Sequence, residues 1–329
     1  MRLIFGLLIC LNLQLCLSQN TTGFYIIDSL PIGKMSSEER ILLDSILNKY
    51  HHSKFDTARY RILSQIAEHI TDPLIWPAYN KYVQRELINK IGIVNPNSYQ
   101  RKILIKYLIR SKNNEGLNYN YLGEFDKGLK ILSETLVLAK SEKQEDEEAE
   151  IYNSIGGNYH FKGDLNNALN HYLKSAQMYF RLKDNLNLAL LLYNIAQVYY
   201  QKSDYNNAIN FSLLSLRLSE QYKNDLEVAT TSGLIGQIFY SMGDYQKAIE
   251  YFEIAYDISN RIGSKVMMTE ALINLGTVNY KNSNSTEAFE QFTKAKNLAE
   301  ETNNSLSLNI ILNNLTELYL LKNDFVNAE

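Results

Sequence analysis

The sequence predicts an all-α chain, a right-handed α-solenoid of stacked helix-turn-helix units. Three observations carry that prediction. One skeleton returns every forty residues, as "IGGNYHFKGDLNNALNHY", "IAQVYYQKSDYNNAINFS" and "IGQIFYSMGDYQKAIEYF", starting at Ile155, Ile195 and Ile235. Within each copy the apolar residues recur at the 3.6-residue helical period. All four prolines (Pro31, Pro73, Pro77, Pro96) lie in the first third, so composition already divides the chain. A repeat of this length marks a solenoid, in which neighbouring units bury one another's apolar faces.

The first element is "MRLIFGLLICLNLQLCLSQN": one basic residue, Arg2, an apolar run to about Leu17, then Ser18. Residues 1–18 fit a secretory signal peptide cleaved near Ser18–Gln19. The run is too short for a membrane span, which takes about 20 residues. Both cysteines, Cys10 and Cys16, fall inside it. The mature chain is therefore expected to have no disulfide, zinc–thiolate site or cysteine nucleophile, and to be exported, periplasmic or alternatively secreted.

Residues 19–37 read as a linker and 38–108 as a degenerate helical region that caps the array. "YRILSQIAEHI" places Ile62, Leu63, Ile66, Ala67 and Ile70 on one stripe. After Asp72-Pro73, Trp76, Tyr79, Val83 and Leu87 form another. His51-His52 reads as a solvated loop.

Residues 109–329 hold about five and a half repeats. Gly116, Gly156, Ala196, Gly236, Gly276 and Thr316 are each forty apart, and twelve residues after each stand Gly128, Ala168, Ala208, Ala248, Ala288 and Ala328. Small residues recur where two helix backbones approach, and Gly236 with Ala248 is expected to form that contact. Between the two helices "SMGDY" supplies Gly243 for a positive φ and Asp244 for an N-cap. Between units, "KDN", "KND", "IGS" and "TNN" supply polar turns centred on Asp184, Asn224, Gly263 and Asn303. The end at "NDFVNAE" is expected to interrupt a second helix, which points to a fragment of a longer protein.

This pattern resembles the tetratricopeptide repeat. Its motif is read here as Ile235-Gly236, Phe239, Gly243-Asp244-Tyr245, Ala248, Phe252 and Ala255. The period of forty exceeds the usual 34, and the closing proline is absent. Six extra residues are expected to lengthen the second helices.

The resemblance implies that first helices line a concave groove. The residue two before each Gly-type position would face it: Asn114, Ser154, Asn194, Leu234, Asn274, Asn314. So would the residue one after (Gln197, Gln237) and four after (Tyr200, Tyr240, Tyr280). Asn194, Gln197, Tyr200, Gln237, Tyr240, Asn274, Tyr280 and Asn314 are the candidate binding residues. Amides can pair with a peptide backbone while rings pack on its side chains. Packing between repeats is the alternative role for the tyrosines. The Lys and Arg with which some family members grip a C-terminal carboxylate have no counterpart on this face.

Composition excludes other classes. A net charge of -3 offers no basic surface for nucleic acid. No phosphate loop, catalytic triad or metal spacing occurs, so no enzyme, cofactor or metal is expected within these residues. "SEKQEDEEAE", Ser141 to Glu150, reads as a solvated turn whose acids stand at a helix start. His160 and His171 read as packing residues. Asn210-Phe211-Ser212 and Asn314-Leu315-Thr316 would be glycosylation acceptors only in a eukaryotic secreted protein.

Such arrays behind a signal peptide resemble the exported sensory halves of bacterial signalling proteins of histidine kinase or transcriptional regulator type. The expected partner is a protein or peptide, with any membrane tether beyond residue 329. A free-standing scaffold is the alternative.

Overall fold

The computed structural model describes residues 24–321, apart from 28, 29, 55, 71 and 73. The expected signal segment 1–18 and Ala328 lie outside the described residues. Among these there are fourteen α-helices and no strand, an all-α helical-repeat solenoid. They are α1 (Ser37–His52), α2 (Asp56–His69), α3 (Ile75–Ile93), α4 (Tyr99–Tyr121), α5 (Phe125–Ser141), α6 (Glu145–Phe161), α7 (Leu165–Leu182), α8 (Asn185–Gln201), α9 (Tyr205–Gln221), α10 (Asp225–Met242), α11 (Tyr245–Arg261), α12 (Lys265–Lys281), α13 (Ser285–Glu301) and α14 (Ser305–Leu321). Two compact units, Met1–Ser154 and Ile155–Glu329, divide within α6.

In the first unit, Leu43, Ile46, Leu47, Leu63, Ile66, Tyr79, Val83, Leu87 and Leu104 form one buried cluster across α1 to α4. The stretch expected as a linker joins it from Phe24 on. Phe24, Tyr25, Ile26, Ile27 and Leu30 pack against the cluster, and Ile32 and Met35 are buried in it. The Tyr79 hydroxyl donates to the Tyr25 carbonyl, and the His51 Nε2 lies 2.7 Å from the Phe24 carbonyl. An apolar "FYII" beside an uncovered helix face gains more by packing than by remaining in water. His51 and His52 are the last turn of α1 rather than a loop, with His52 Nδ1 2.8 Å from the Asn48 carbonyl. The boundary drawn at 108/109 falls inside α4, whose Ser98 N-cap accepts from the Arg101 N–H.

From Phe125 on, a helix begins every twenty residues: at 125, 145, 165 and so to 305. First and second helices are therefore equal in length to within one residue, and the six extra residues do not extend the second helix alone. Each turn holds one left-handed residue. Gly163, Ser203, Gly243 and Ser283 serve between the helices of a pair, and Lys183, Lys223, Gly263 and Asn303 between pairs. Asp184 and Asn224 are thus N-caps, one residue past the left-handed position. Asp164, Asp184, Asp204 and Asp244 each accept the N–H three residues on, at 3.1–3.2 Å. The Asp184, Asp204, Asn224 and Asp244 N–H groups in turn close the preceding helix onto the carbonyls of Tyr179, Tyr199, Ser219 and Phe239.

Each second helix buries one stripe: Ala168, Tyr172, Ser175, Tyr179 in α7, and Ala248, Phe252, Ala255, Ser259 in α11. Ala168, Ala196, Ala208, Ala248 and Ala288 have no exposed surface. The space beside Gly156, Gly236 and Gly276 is filled chiefly by the residue sixteen on, namely Tyr172, Phe252 and Phe292. A Cβ on any of these glycines would come within 2.5–2.6 Å of that ring. At Gly116 the same place meets Leu132 at 2.6 Å and the Gly128 carbonyl at 3.3 Å, so the position twelve on contributes there as well. Beside Gly236 the nearest atoms are those of Phe252, a partner that the motif reading did not name. Where α8 carries Ala196 instead, the residue sixteen on is the small, fully buried Ser212. Volume is conserved by exchanging sizes across the pair.

Candidate binding face on the first helices

The first helices of the second unit carry the candidate binding residues, all half-buried. The tyrosines pack between repeats. Tyr200 lies against the cluster of Ala196, Ala208, Leu234 and Ile238, and its hydroxyl is 3.1 Å from Ser241 Oγ. Tyr240 packs on Ala248, Phe252, Leu275 and Val278. Tyr280 packs on the cluster of Phe292, Ile311 and Leu315. Each ring sits where one pair rests on the next.

Gln197 donates to the Tyr193 hydroxyl at 2.9 Å, within its own helix. Gln237 and Asn274 line a cavity of about 100 Å³ between α8, α10 and α12. Its wall also includes Tyr193, Thr230, Gly233 and Glu270, with Phe252 and Ala255 of α11 behind. Asn194 and Asn314 stand in the same register on α8 and α14 and do not line it.

The cavity exists because of Gly233. The residues at its place in neighbouring copies are Tyr193 and Ile273, whereas a Cβ at Gly233 would meet nothing within 4 Å. Burial, followed by the charges of Glu227 and Glu270, pushes the Tyr193 hydroxyl up to about 12, so it remains a neutral donor. Burial raises the Glu227 carboxyl as well, against the lowering effect of the Thr231 hydroxyl.

Sequence reasoning missed Tyr193, Thr230, Gly233 and Glu270, which lie three or six residues before the Gly-type position and outside the rows derived from the motif. A glycine where its neighbours hold large residues was the available signal. Reading the acidic run as a solvated turn is corrected too. Glu147 is 2% exposed and accepts from Arg110 Nε at 3.1 and 3.2 Å, with Lys106 Nζ at 3.1 Å. Arg101 meets Glu142 through two parallel 2.9 Å bonds, which hold the Glu142 carboxyl below its usual range. These cations stand about one period before the acids, a spacing visible in the sequence. His171 stacks on Tyr159 at 5.5 Å, and His160 meets Tyr172 edge-on at 6.3 Å. Among the described residues, no group of three or more His, Cys, Asp or Glu could hold a metal ion, and no helix is long and apolar enough to cross a membrane.

Residues 187–261 match the family model described as tetratricopeptide repeat. The repeats of that segment are tetratricopeptide repeats. Residues 238–322 also match the model of anaphase-promoting complex subunit 5. No curated protein sequence matches the chain. Among solved structures, it is similar to BtubC (BKLC) from P. vanneervenii, with 17% identity and a TM-score of 0.60 over 68% of this chain and 92% of that one. A signal transduction ATPase with a tetratricopeptide repeat sensor, from Pyrococcus horikoshii, gives 16% and 0.61 over 93% of this chain and 49% of that one. A Rap protein complexed with Competence and Sporulation Factor gives 16% and 0.59 over 88% and 84%. At these identities the likeness is one of fold.

Proposed function

We propose that the chain is a protein-interaction module whose tetratricopeptide first helices seat an extended segment of a partner, and that it works as the exported interaction region of a larger signalling protein. The observation that carries the binding reading is the cavity lined by Gln237, Asn274, Thr230 and Glu270 on the first helices. The solved structures of like fold include a Rap protein complexed with Competence and Sporulation Factor and an ATPase with a tetratricopeptide repeat sensor, which supports binding of a protein or peptide as the use of such a fold. The export reading rests on the composition of residues 1–18.

Selection of peptides from a displayed random library on the full chain tests the binding reading. Gln237→Ala with Asn274→Ala should weaken a selected peptide by roughly tenfold or more while leaving the melting temperature nearly unchanged, since neither side chain is in the core. Binding that survives both changes would move the site elsewhere. N-terminal sequencing of the protein from its native host should begin at Gln19, and a retained Met1 would end the export reading.

A further inference from the structure

We propose that the cavity between α8, α10 and α12 receives a cationic side chain, lysine or arginine, of the bound partner segment. The inference rests on the binding reading above and names the chemistry of one subsite.

Two buried glutamates occupy the same register. Glu147 and Glu227 each stand nine residues before the Gly-type position of their helix, in α6 and α10. Both are buried, to 2% and 6% exposure. Lys106 and Arg110 on the preceding first helix neutralise Glu147. Eighty residues on, the corresponding places hold Leu186 and Leu190. Among the described residues Glu227 is met by the Thr231 hydroxyl at 3.5 Å, the outer limit of a hydrogen bond, and by no lysine, arginine or histidine. A carboxylate in this place therefore lacks the cations that its counterpart has. Burying one without a counter-charge is costly, and a cation from outside would offset that cost.

The cavity lies where such a cation could arrive. Thr230, one turn from Glu227, is in its wall, and Glu270 is the one charged side chain there among the described residues. The charges of both carboxylates act on Tyr193, which also lines the cavity. The oxygens of Gln237, Asn274 and Thr230 can accept from an ammonium or guanidinium head. The Tyr193 ring and the Phe252 and Ala255 side chains offer an apolar wall for its stem and an aromatic face for its charge. About 100 Å³ accommodates one aliphatic stem with its head.

Titration of the full chain with n-butylammonium chloride, followed through the backbone amide resonances of Thr230, Gly233 and Gln237, tests the proposal. Saturable shifts with a Kd on the order of 1–10 mM are expected, given the few atoms in the probe. Sodium butanoate and 1-pentanol should leave the same amides in place. Glu270→Gln and Glu227→Gln should each weaken the probe by several-fold to about tenfold. Gly233→Ile, which fills the gap with a residue that α12 accepts in the same place, should exclude the probe from a folded protein. Equal shifts from butanoate or pentanol, or titrations indifferent to both glutamine variants, would overturn the proposal. The two readings separate cleanly. Selected peptides that bind through Gln237 and Asn274 while the ammonium does not would remove the cation subsite alone. Ammonium binding that no selected peptide displaces would retain the subsite and remove the peptide face.

Discussion

The Phe252 ring occupies the place where a side chain on Gly236 would begin: a Cβ there would lie 2.6 Å from two of its carbons. Gly236→Ala should therefore destabilise by about 1–3 kcal/mol, although the same change in an open helix gains up to about 1 kcal/mol. The α8–α9 pair, with Ala196 and Ser212, indicates the remedy. Phe252→Ser alone should cost about 3–5 kcal/mol, and adding Gly236→Ala to it should cost little more or recover part of the loss. Denaturant unfolding of the four proteins measures the coupling. Strict additivity would show that the two positions do not compete for one space.

Gly233 and Gly243 should respond in opposite directions. Gly233 lies in a helix interior with open space around it, so Gly233→Ala should stabilise by about 0.5–1 kcal/mol. Gly243 has φ +81°, which an alanine adopts at a cost of about 1–2 kcal/mol. Thermal melts of the two alanine variants on one batch of protein decide it, and a shared sign would contradict the turn geometry.

Glu147→Ala should cost about 1–2 kcal/mol, less than the 3–5 of a fully buried ion pair, because Lys106 and Arg110 are about one-third exposed. The loss should persist in high salt, since the carboxylate itself is out of water. Glu301→Ala, which removes an exposed partner of Lys265, should change almost nothing by comparison.

Burial lowers the pKa of both His160 and His171 from the ordinary 6.5. As pH falls through 6.5 the unfolded chain takes up protons that the folded one resists. Stability is therefore full above that value and declines below it. Melting temperature followed from pH 7.5 to 5 should fall, and His160→Gln with His171→Gln should flatten the decline.

What the sequence made legible was whatever depends on phase. The Gly-type series, the alanines twelve residues on and the Gly243-Asp244 turn all follow from a strict register, and the helices start where it requires. Partnership across the pair was less legible. That Gly236 answers Phe252 becomes readable only when Ala196 is set beside Ser212, because one exchange of sizes carries more information than several identical copies. Ion pairs such as Arg110–Glu147 join residues almost one period apart, so their spacing stands in the sequence while the burial that gives it weight does not. The packing of Phe24 to Met35 depends on an apolar face that α1 to α3 leave uncovered, which no property of that short segment reveals by itself. On the candidate face, the family pattern drew attention to the tyrosines, while the open space stands beside Gly233, which has no side chain.

The exchange of sizes between Ala196–Ser212 and Gly236–Phe252 also governs how the array tolerates loss of a copy. Excising residues 184–223 joins Lys183 to Asn224 and removes one matched couple whole, leaving every remaining partner with its own. Excising 204–243 is the same length and joins equivalent turns, yet it sets the Ala196 methyl against the Phe252 ring. Shortening by forty is thus permitted from one seam and penalised from the other. The heritable module is the first helix with the second that follows it, never the reverse.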